Sequence, residues 1–232
     1  MNSIKTQMRK SRPLAALLAS GATLAMAILA YASSSTQIEQ LAPLATPRTM
    51  HTATVLADGN VLITGGRDAA GAVIADAEIF DSKTRTSKAI GSLLTARTGH
   101  TATLLKDGRV LVAGGMNATG TLASVEVFEP LAPASGFHAL SEEMKASRTR
   151  HTATLLQDGK VLIAGGDLVG TAEIFDPATD TFSITLLNMA ERRSGHTATR
   201  FSENLVLLAG GQSDSMEMFN AADQTFTLDH NG

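Results

Sequence analysis

Hydrophobic and polar positions are arranged in short runs of about four to six residues along most of the chain. In the run 151–156, residues 151, 153 and 155 (His, Ala and Leu) face one side, and residues 152, 154 and 156 (Thr, Thr and Leu) face the other. This period of two, together with the β-branched Thr residues, is typical of a strand. The next run, 161–164, is apolar, as expected for a strand that is buried on both faces. Runs at 172–175 and 181–184 predict a third and a fourth strand, so the segment predicts one four-stranded antiparallel unit.

The same segment occurs four times in the chain. Each copy opens with Arg-x-x-His-Thr-Ala-Thr, and a Gly-Gly pair ends its second strand. The histidines are 49, 51 and 45 residues apart, and a period near 50 that contains several short strands is typical of propeller blades. The copies span about 48–96, 97–147, 148–192 and 193–232, and they begin with Arg48/His51, Arg97/His100, Arg148/His151 and Arg193/His196.

Asp-Gly pairs separate the first two strands in three of the copies, at 58–59, 107–108 and 158–159. Between two strand-like runs, Asp-Gly predicts a two-residue type I′ hairpin, in which both central residues have a positive φ. Glu203-Asn204 stands at this place in the fourth copy and is a poorer turn sequence.

These features resemble the kelch repeat: Arg-x-x-His, Asp-Gly, the Gly-Gly doublet, the Glu-x-Phe-Asp-Pro block and the Thr-Phe pair. The nearest version is the bacterial one, which is also seen in galactose-oxidase-like β-propellers. The resemblance covers roughly 47–228 and implies an all-β, kelch-like β-propeller with four recognisable four-stranded blades. The chain departs from the pattern at Ser87, which stands where Phe182 and Phe226 sit in later copies, and in two extra residues before Phe137. Kelch propellers serve as enzymes, carbohydrate binders and protein-docking modules, so the resemblance implies no single function.

The number of outer strands predicts an incomplete ring or arc. Residues 37–44 read as an outer strand without a blade of its own, and Thr225-Phe226-Thr227 supplies another in the fourth copy. In propellers of this kind an N-terminal strand completes the last blade, but here it would be a fifth outer strand for four blades. Kelch-like rings usually contain six or seven blades. We therefore expect open blade edges, which can pair with other chains and give self-association.

The N-terminal segment predicts export. Basic residues at 5, 9, 10 and 12 precede an uncharged run, 14–32, which ends in Ala30-Tyr31-Ala32. This pattern is typical of a signal peptide, 1–32, with cleavage before Ser33 and a periplasmic or extracellular location. The alternative is an uncleaved membrane anchor, because the run can just span a bilayer, and the repeats would then also lie outside the cytoplasm. Residues 33–46 would form a linker and the extra outer strand.

Composition excludes several kinds of chemistry. The net charge of −3 gives no positive field for nucleic acid, and the absence of Cys removes disulfides, thiolate metal sites and cysteine nucleophiles. The only Tyr, Tyr31, lies in the export segment. A copper-radical oxidase of the galactose oxidase type and a sialidase-type enzyme both need Tyr, so neither is expected. We predict no catalytic residue, metal or cofactor, while a kelch enzyme resembling a sugar epimerase stays open through Arg and Glu.

Two sets of residues are candidates for ligand binding. Arg48, Arg97, Arg148 and Arg193 could form a ring that binds anions or sugars, but a residue repeated in every blade is better explained as scaffold paired with the Glu of the third strand. The four histidines suggest a metal site, but the Arg beside each would repel a cation. Loops that vary between the copies are better candidates, although they could be ordinary solvated loops. Their side chains suit a polyol or a peptide, and they are Arg67, Asp68, Asn117, Asp167, Gln212 and Asp214.

Three functional hypotheses follow from the sequence. The leading one is an exported binding module that recognises a protein or a glycan through one loop face. The second is a carbohydrate-active kelch enzyme whose pocket another subunit completes, and a strongly perturbed Glu or His at the pore mouth would favour it. The third is a partial chain that keeps only a structural remnant of the original role.

Overall fold

Every regular element in the described part of the chain is a β-strand. The computed structural model describes residues 41–132 and 136–229, and within these ranges it contains no helix. Sheet I contains β1 (Thr52–Val55), β2 (Val61–Thr64), β3 (Asp76–Asp81) and β4 (Thr86–Ser92). Sheet II contains β5 (Thr101–Leu104), β6 (Val110–Ala113), β9 (Val125–Phe128) and β10 (Phe137–Ala139), and a small hairpin of β7 (Met116–Asn117) and β8 (Gly120–Thr121) lies between β6 and β9 in the sequence.

The second half of the chain repeats the arrangement. Sheet III contains β11 (Thr152–Leu155), β12 (Val161–Ala164), β13 (Ala172–Asp176) and β14 (Thr181–Ile184). Sheet IV contains β15 (Thr197–Arg200), β16 (Leu205–Ala209), β17 (Met216–Asn220) and β18 (Thr225–Asp229). In each sheet the strands pair antiparallel in chain order. The prediction of four four-stranded antiparallel units is therefore confirmed, and it is compatible with a propeller-like arrangement.

The strand register puts an aromatic pair in three of the sheets. Phe175 lies opposite Phe182, with ring centroids 4.9 Å apart, and the equivalent pairs are Phe128 with Phe137 and Phe219 with Phe226. In sheet I the partner of Phe80 is Ser87, as the sequence alignment of the repeats predicts. Ser87 uses its hydroxyl to donate a 2.8 Å hydrogen bond to Glu78. Sheet I thus lacks one aromatic ring on one face.

The Asp-Gly turns differ from the predicted type I′ hairpins. Only the Gly has a positive φ, 84° at Gly59, 91° at Gly108 and 96° at Gly159. In sheet I the amide of Gly59 donates to the carbonyl of Leu56, which makes a type I turn followed by a left-handed Gly. The physical reason is that this longer loop needs only one residue with positive φ, which Gly supplies without steric cost, and Asp stays in the right-handed region.

The hydrophobic core lies between successive sheets. In β12 the side chains alternate, so that Val161 and Ile163 pack toward sheet II while Leu162 and Ala164 pack toward sheet IV. Both faces of the strand are therefore buried, which explains why all four residues of β12 are apolar. Burial of each such side chain contributes about 1.5–3 kcal/mol, and the three clusters between the sheets form the core.

The first strands of the four sheets contact one another in succession, β1 with β5, β5 with β11 and β11 with β15. The described residues do not form a closed ring. Residues 41–44, the described part of the predicted extra outer strand 37–44, adopt no strand, and residues 37–40 lie outside the described ranges. The predicted signal peptide or anchor, 1–32, also lies outside them. Among the described residues there is no helix that is long and apolar enough to cross a membrane.

Candidate functional site

A buried ion pair joins the head of each repeat to its third strand. The shortest nitrogen–oxygen distances are 2.7 Å for Arg48–Glu78, 2.6 Å for Arg97–Glu126, 2.6 Å for Arg148–Glu173 and 2.9 Å for Arg193–Glu217. The Arg side chains have no exposed surface. Each guanidinium also donates to the carbonyl of the first Gly in the Gly-Gly pair, at Gly65, Gly114, Gly165 and Gly210. The predicted scaffold pairing of Arg with Glu is confirmed.

The Glu of each ion pair also fixes the segment that leads into the repeat. Glu126 accepts hydrogen bonds from the amides of Leu94 and Thr95, at 2.7 and 3.0 Å, and the other three sheets repeat this contact. In sheet I, burial acts to raise the pKa of Glu78. Hydrogen bonds from backbone amides and Ser87, together with the charge of Arg48, outweigh burial and hold this pKa below its usual value. The carboxylate is therefore charged and fully engaged within the sheet.

Three of the repeated histidines, those of sheets II, III and IV, link their sheet to the one before it. Nε2 of His100 lies 3.1 Å from the Thr52 hydroxyl and 3.2 Å from the Thr64 hydroxyl in sheet I. Nε2 of His151 lies 3.0 Å from Thr101, and that of His196 lies 3.1 Å from Thr152. Burial, followed by the charge of the neighbouring Arg, lowers the pKa to about 3 for His100 and His151 and to about 4 for His196. These imidazoles are neutral contacts between sheets.

Metal ligation was the other interpretation of the four histidines. Within residues 41–132 and 136–229, no group of three or more His, Asp or Glu side chains is placed to hold a metal ion.

Four of the predicted loop residues organise their own loops. Nη1 of Arg67 donates to the carbonyl of Gly71 at 2.8 Å, and Asp68 accepts the amides of Ala70 and Ala72, both at 2.9 Å. Asn117 accepts the amides of Thr119 and Gly120 at 2.9 and 3.2 Å, and Asp167 accepts the amides of Gly170 and Thr171 at 2.9 and 3.1 Å. Short polar side chains that accept amides two to four residues ahead are common in turns. Much of the hydrogen-bonding capacity of these residues is therefore used inside the loops.

Gln212 and Asp214 differ from the other four. Both side chains are exposed, and neither makes a hydrogen bond to another described residue. Gln212 has a φ of 78°, so the loop turns sharply at this residue. These two side chains are free to contact a ligand.

One pocket combines the variable loops with the heads of the repeats. Its volume is about 430 Å³, and it lies between the loops of sheets III and IV. Asp167 and Gln212 contribute to it, whereas Arg67, Asp68, Asn117 and Asp214 do not. Its walls also include Thr149 and Ser194 from two Arg-x-x-His segments, together with Thr121, Ser147, Gly166, Leu168, Arg192 and Arg193. The predicted meeting of loops and repeat heads on one face is thus observed at this pocket.

Arg192 is the charged residue among the described lining residues that the sequence analysis missed, and the uncharged ones it missed include Thr121, Ser147, Thr149, Leu168 and Ser194. The side chain of Arg192 is exposed, and among the described residues it has no ion-pair partner. A signal was present, because only the fourth repeat has a second Arg immediately before the repeated one. The buried Arg193 is neutralised by Glu217, so Arg192 is the cation that can reach a ligand.

The lining groups define what the pocket can bind. The described lining residues include four with hydroxyl groups (Thr121, Ser147, Thr149 and Ser194), together with the amide of Gln212, the carboxylate of Asp167 and the guanidinium of Arg192, and Leu168 is the one large apolar residue among them. Such a set of donors and acceptors suits a ligand with many hydroxyl or amide groups. A scan of the chain against protein-family models gives no match, and a search of the curated proteins gives none either. Assignment of function therefore depends on the pocket and on the repeat.

Proposed function

We propose that this protein is an exported kelch-like propeller module that binds a glycan in the pocket between the loops of sheets III and IV. The observation that carries the proposal is the convergence of Asp167, Arg192 and Gln212 with four hydroxyl side chains. The volume of about 430 Å³ falls in the range of about 300–1,000 Å³ that is usual for small-ligand sites. Export rests on the N-terminal sequence pattern, and the kelch character rests on the repeat motifs.

The chemistry of the lining favours a sugar over an apolar ligand. Hydroxyl, amide and carboxylate groups can exchange hydrogen bonds with sugar hydroxyls, and a ligand that lacks them would leave these groups unpaired. The exposed guanidinium of Arg192 further favours a glycan that carries a carboxylate, because Arg binds this group with two parallel hydrogen bonds.

A protein ligand is the second candidate. Leu168, which lines the pocket, and its neighbour in the chain, Val169, are 86% and 68% exposed, and adjacent exposed apolar side chains are typical of protein-binding surfaces. No comparable observation favours the enzyme hypothesis. The histidines with lowered pKa values, His100, His151 and His196, contact threonines of neighbouring sheets and do not line the pocket.

A glycan array probed with the purified chain tests the proposal. We expect binding to acidic glycans, and a loss of about tenfold or more in affinity in Arg192→Ala and Gln212→Ala. Asp214→Ala is the matched control, because Asp214 is exposed in the same loop but lies outside the pocket lining. Binding that both pocket variants leave unchanged would contradict the proposal. Binding only to peptides, with sensitivity to Leu168→Ser, would replace it with the protein candidate.

A further inference from the structure

Each internal junction between sheets is built from the same three contacts. The amide of the second Gly donates to the carbonyl of the next repeat's Arg, at 2.9 Å for Gly66 with Arg97, for Gly115 with Arg148 and for Gly166 with Arg193. A Thr of the first strand contacts Nε2 of the next repeat's His. The first Gly packs against that same Arg carbonyl and His ring, and a Cβ would lie only 2.5, 2.6 and 2.4 Å from the carbonyl at Gly65, Gly114 and Gly165.

Sheet IV carries one half of this junction, and no described residue supplies the other half. Gly210 is equivalent to the three crowded glycines and has a similar φ of 77°, but no atom lies within 4 Å of where its Cβ would be. Thr197, which is equivalent to the Thr that contacts His in sheets I to III, is exposed, and among the described residues its hydroxyl makes only a 3.4 Å hydrogen bond to the carbonyl of Ala209 in its own sheet.

Sheet I carries the other half. Among the described residues, the carbonyl of Arg48 accepts no hydrogen bond and Nε2 of His51 has no partner. In the other three repeats the same carbonyl and the same nitrogen contact the Gly-Gly pair and the Thr of the preceding sheet. The free groups of sheet I therefore match the free groups of sheet IV.

The apolar side chains around Gly210 are also uncovered. In sheet III the face toward sheet IV is buried, and it consists of Leu156, Leu162, Ala164, Ala172 and Ile174. The equivalent residues of sheet IV are Phe201, Leu207, Ala209, Met216 and Met218, and none of them is fully buried. Phe201 is 56% and Met216 is 45% exposed. The face toward the next sheet forms hydrophobic core in sheets I, II and III, whereas the equivalent face of sheet IV is partly exposed.

We propose that the face of sheet IV around Gly210 and Thr197 binds the face of sheet I around Arg48 and His51 in a second copy of the chain. Two copies joined in both directions would contain eight sheets, which lies within the range of about four to eight blades that propellers contain. Such a head-to-tail contact gives a closed assembly when its rotation closes. The face of sheet I presents Val61, Ile63 and Phe80 with Ser87 in place of a Phe, so the junction buries less apolar area than an internal one.

Light scattering and sedimentation of the purified full chain over a range of concentrations test this proposal. We expect a reversible assembly with a mass of at least twice the 24.1 kDa of one chain. In Gly210→Ala the new Cβ would meet the partner's Arg carbonyl, so we expect dissociation constants raised about tenfold or more. Gly71→Ala is the matched control, because Gly71 also has a positive φ, 84°, and open space around it. That variant should assemble like the original chain.

Thr197→Val provides a second variant that keeps the strand shape and removes only the hydroxyl. We expect it to weaken assembly as well, with an unchanged circular dichroism spectrum. A monomer at all concentrations would overturn the proposal. Assembly that neither Gly210→Ala nor Thr197→Val weakens would overturn it too, because the contact would then use another surface, such as the edges of the outer strands.

Discussion

Mild acid should destabilise this protein through His100 and His151. Burial lowers the pKa of both to about 3. Beyond burial, the charge of Arg97 and electrostatic coupling to the His51 ring lower the pKa of His100, and the charge of Arg148 and coupling to the rings of His100 and His196 lower the pKa of His151. In the unfolded chain the pKa of a histidine is about 6.5. Below that pH the unfolded chain binds a proton that the folded chain does not. The contribution of each histidine to the free energy of unfolding is therefore fully present above about pH 6.5 and is lost progressively as the pH decreases toward about 3.

The size of the effect follows from these two pKa values. Each histidine contributes a slope of about 1.4 kcal/mol per pH unit, so the free energy of unfolding falls by about 2 kcal/mol per histidine from about pH 7.5 to about pH 5. The two together give about 4 kcal/mol, against a total stability of about 5–15 kcal/mol for a typical domain. His196, with its pKa lowered to about 4, acts in the same direction.

Urea unfolding followed by far-ultraviolet circular dichroism measures this loss at a series of pH values. His151→Gln is the informative control, because Gln can still contact Thr101 but does not titrate. We expect its slope to be smaller than that of the original chain by about 1.4 kcal/mol per pH unit. An unchanged unfolding free energy between about pH 7.5 and about pH 5 would refute the assignment of neutral buried histidines. Equal slopes in the two proteins would refute the role of His151.

Three further predictions concern packing and processing. Phe175→Ala should lower the free energy of unfolding by about 3–5 kcal/mol in chemical denaturation, because Phe175 is fully buried, and a cost below about 1 kcal/mol would contradict its place in the core. Gly114→Ala should lower the free energy of unfolding by about 1–3 kcal/mol more than Gly108→Ala. Both glycines have a positive φ, but only at Gly114 would the new Cβ clash, at 2.6 Å from the Arg148 carbonyl. Equal losses in chemical denaturation would argue against the contact between sheets. N-terminal sequencing of the exported protein should begin at Ser33, and an uncleaved chain in the membrane fraction would favour the anchor instead.

The elements of the fold were predictable because their signals are local and repeated. The alternation seen in 151–156, the apolar run seen in 161–164, the opening Arg and the Glu of the third strand recur in each copy, and the strands and ion pairs occur where these patterns place them. Aligning the repeats also predicts that Phe175 pairs with Phe182, and that Ser87 takes the place of the second Phe opposite Phe80 in sheet I.

The contacts between sheets could not be predicted in the same way. Thr52 and His100 are 48 residues apart and Thr101 and His151 are 50 apart, so the partner of each His depends on how successive sheets stack. The sequence pattern shows which residues recur but not that the His of one repeat binds the Thr of the previous one. The turn prediction was wrong for a related reason, because Asp-Gly fits both a type I′ hairpin and the longer loop that the structure contains.

The candidate site was predicted only in outline. Asp167 and Gln212 were expected on one loop face, and both line the pocket. The carboxylate of Asp167 is partly used by its own loop, which the spacing to Gly170 and Thr171 could have indicated. Arg192 lies immediately before the repeated Arg193, outside both the variable loops and the Arg-x-x-His motif, so neither pattern indicated it.

The central claim is that repeated residues hold the sheets together while residues particular to one loop bind the ligand. Thermal melting and glycan affinity, measured side by side on Arg148→Met and Gln212→Ala, test it most directly. Arg148→Met leaves Glu173 buried without its partner and should cost about 3–5 kcal/mol of stability, whereas Gln212→Ala should change stability by less than about 0.5 kcal/mol and reduce glycan affinity. If Arg148→Met melts like the original chain and has lost glycan binding, the repeated Arg residues form the binding site and the claim is wrong.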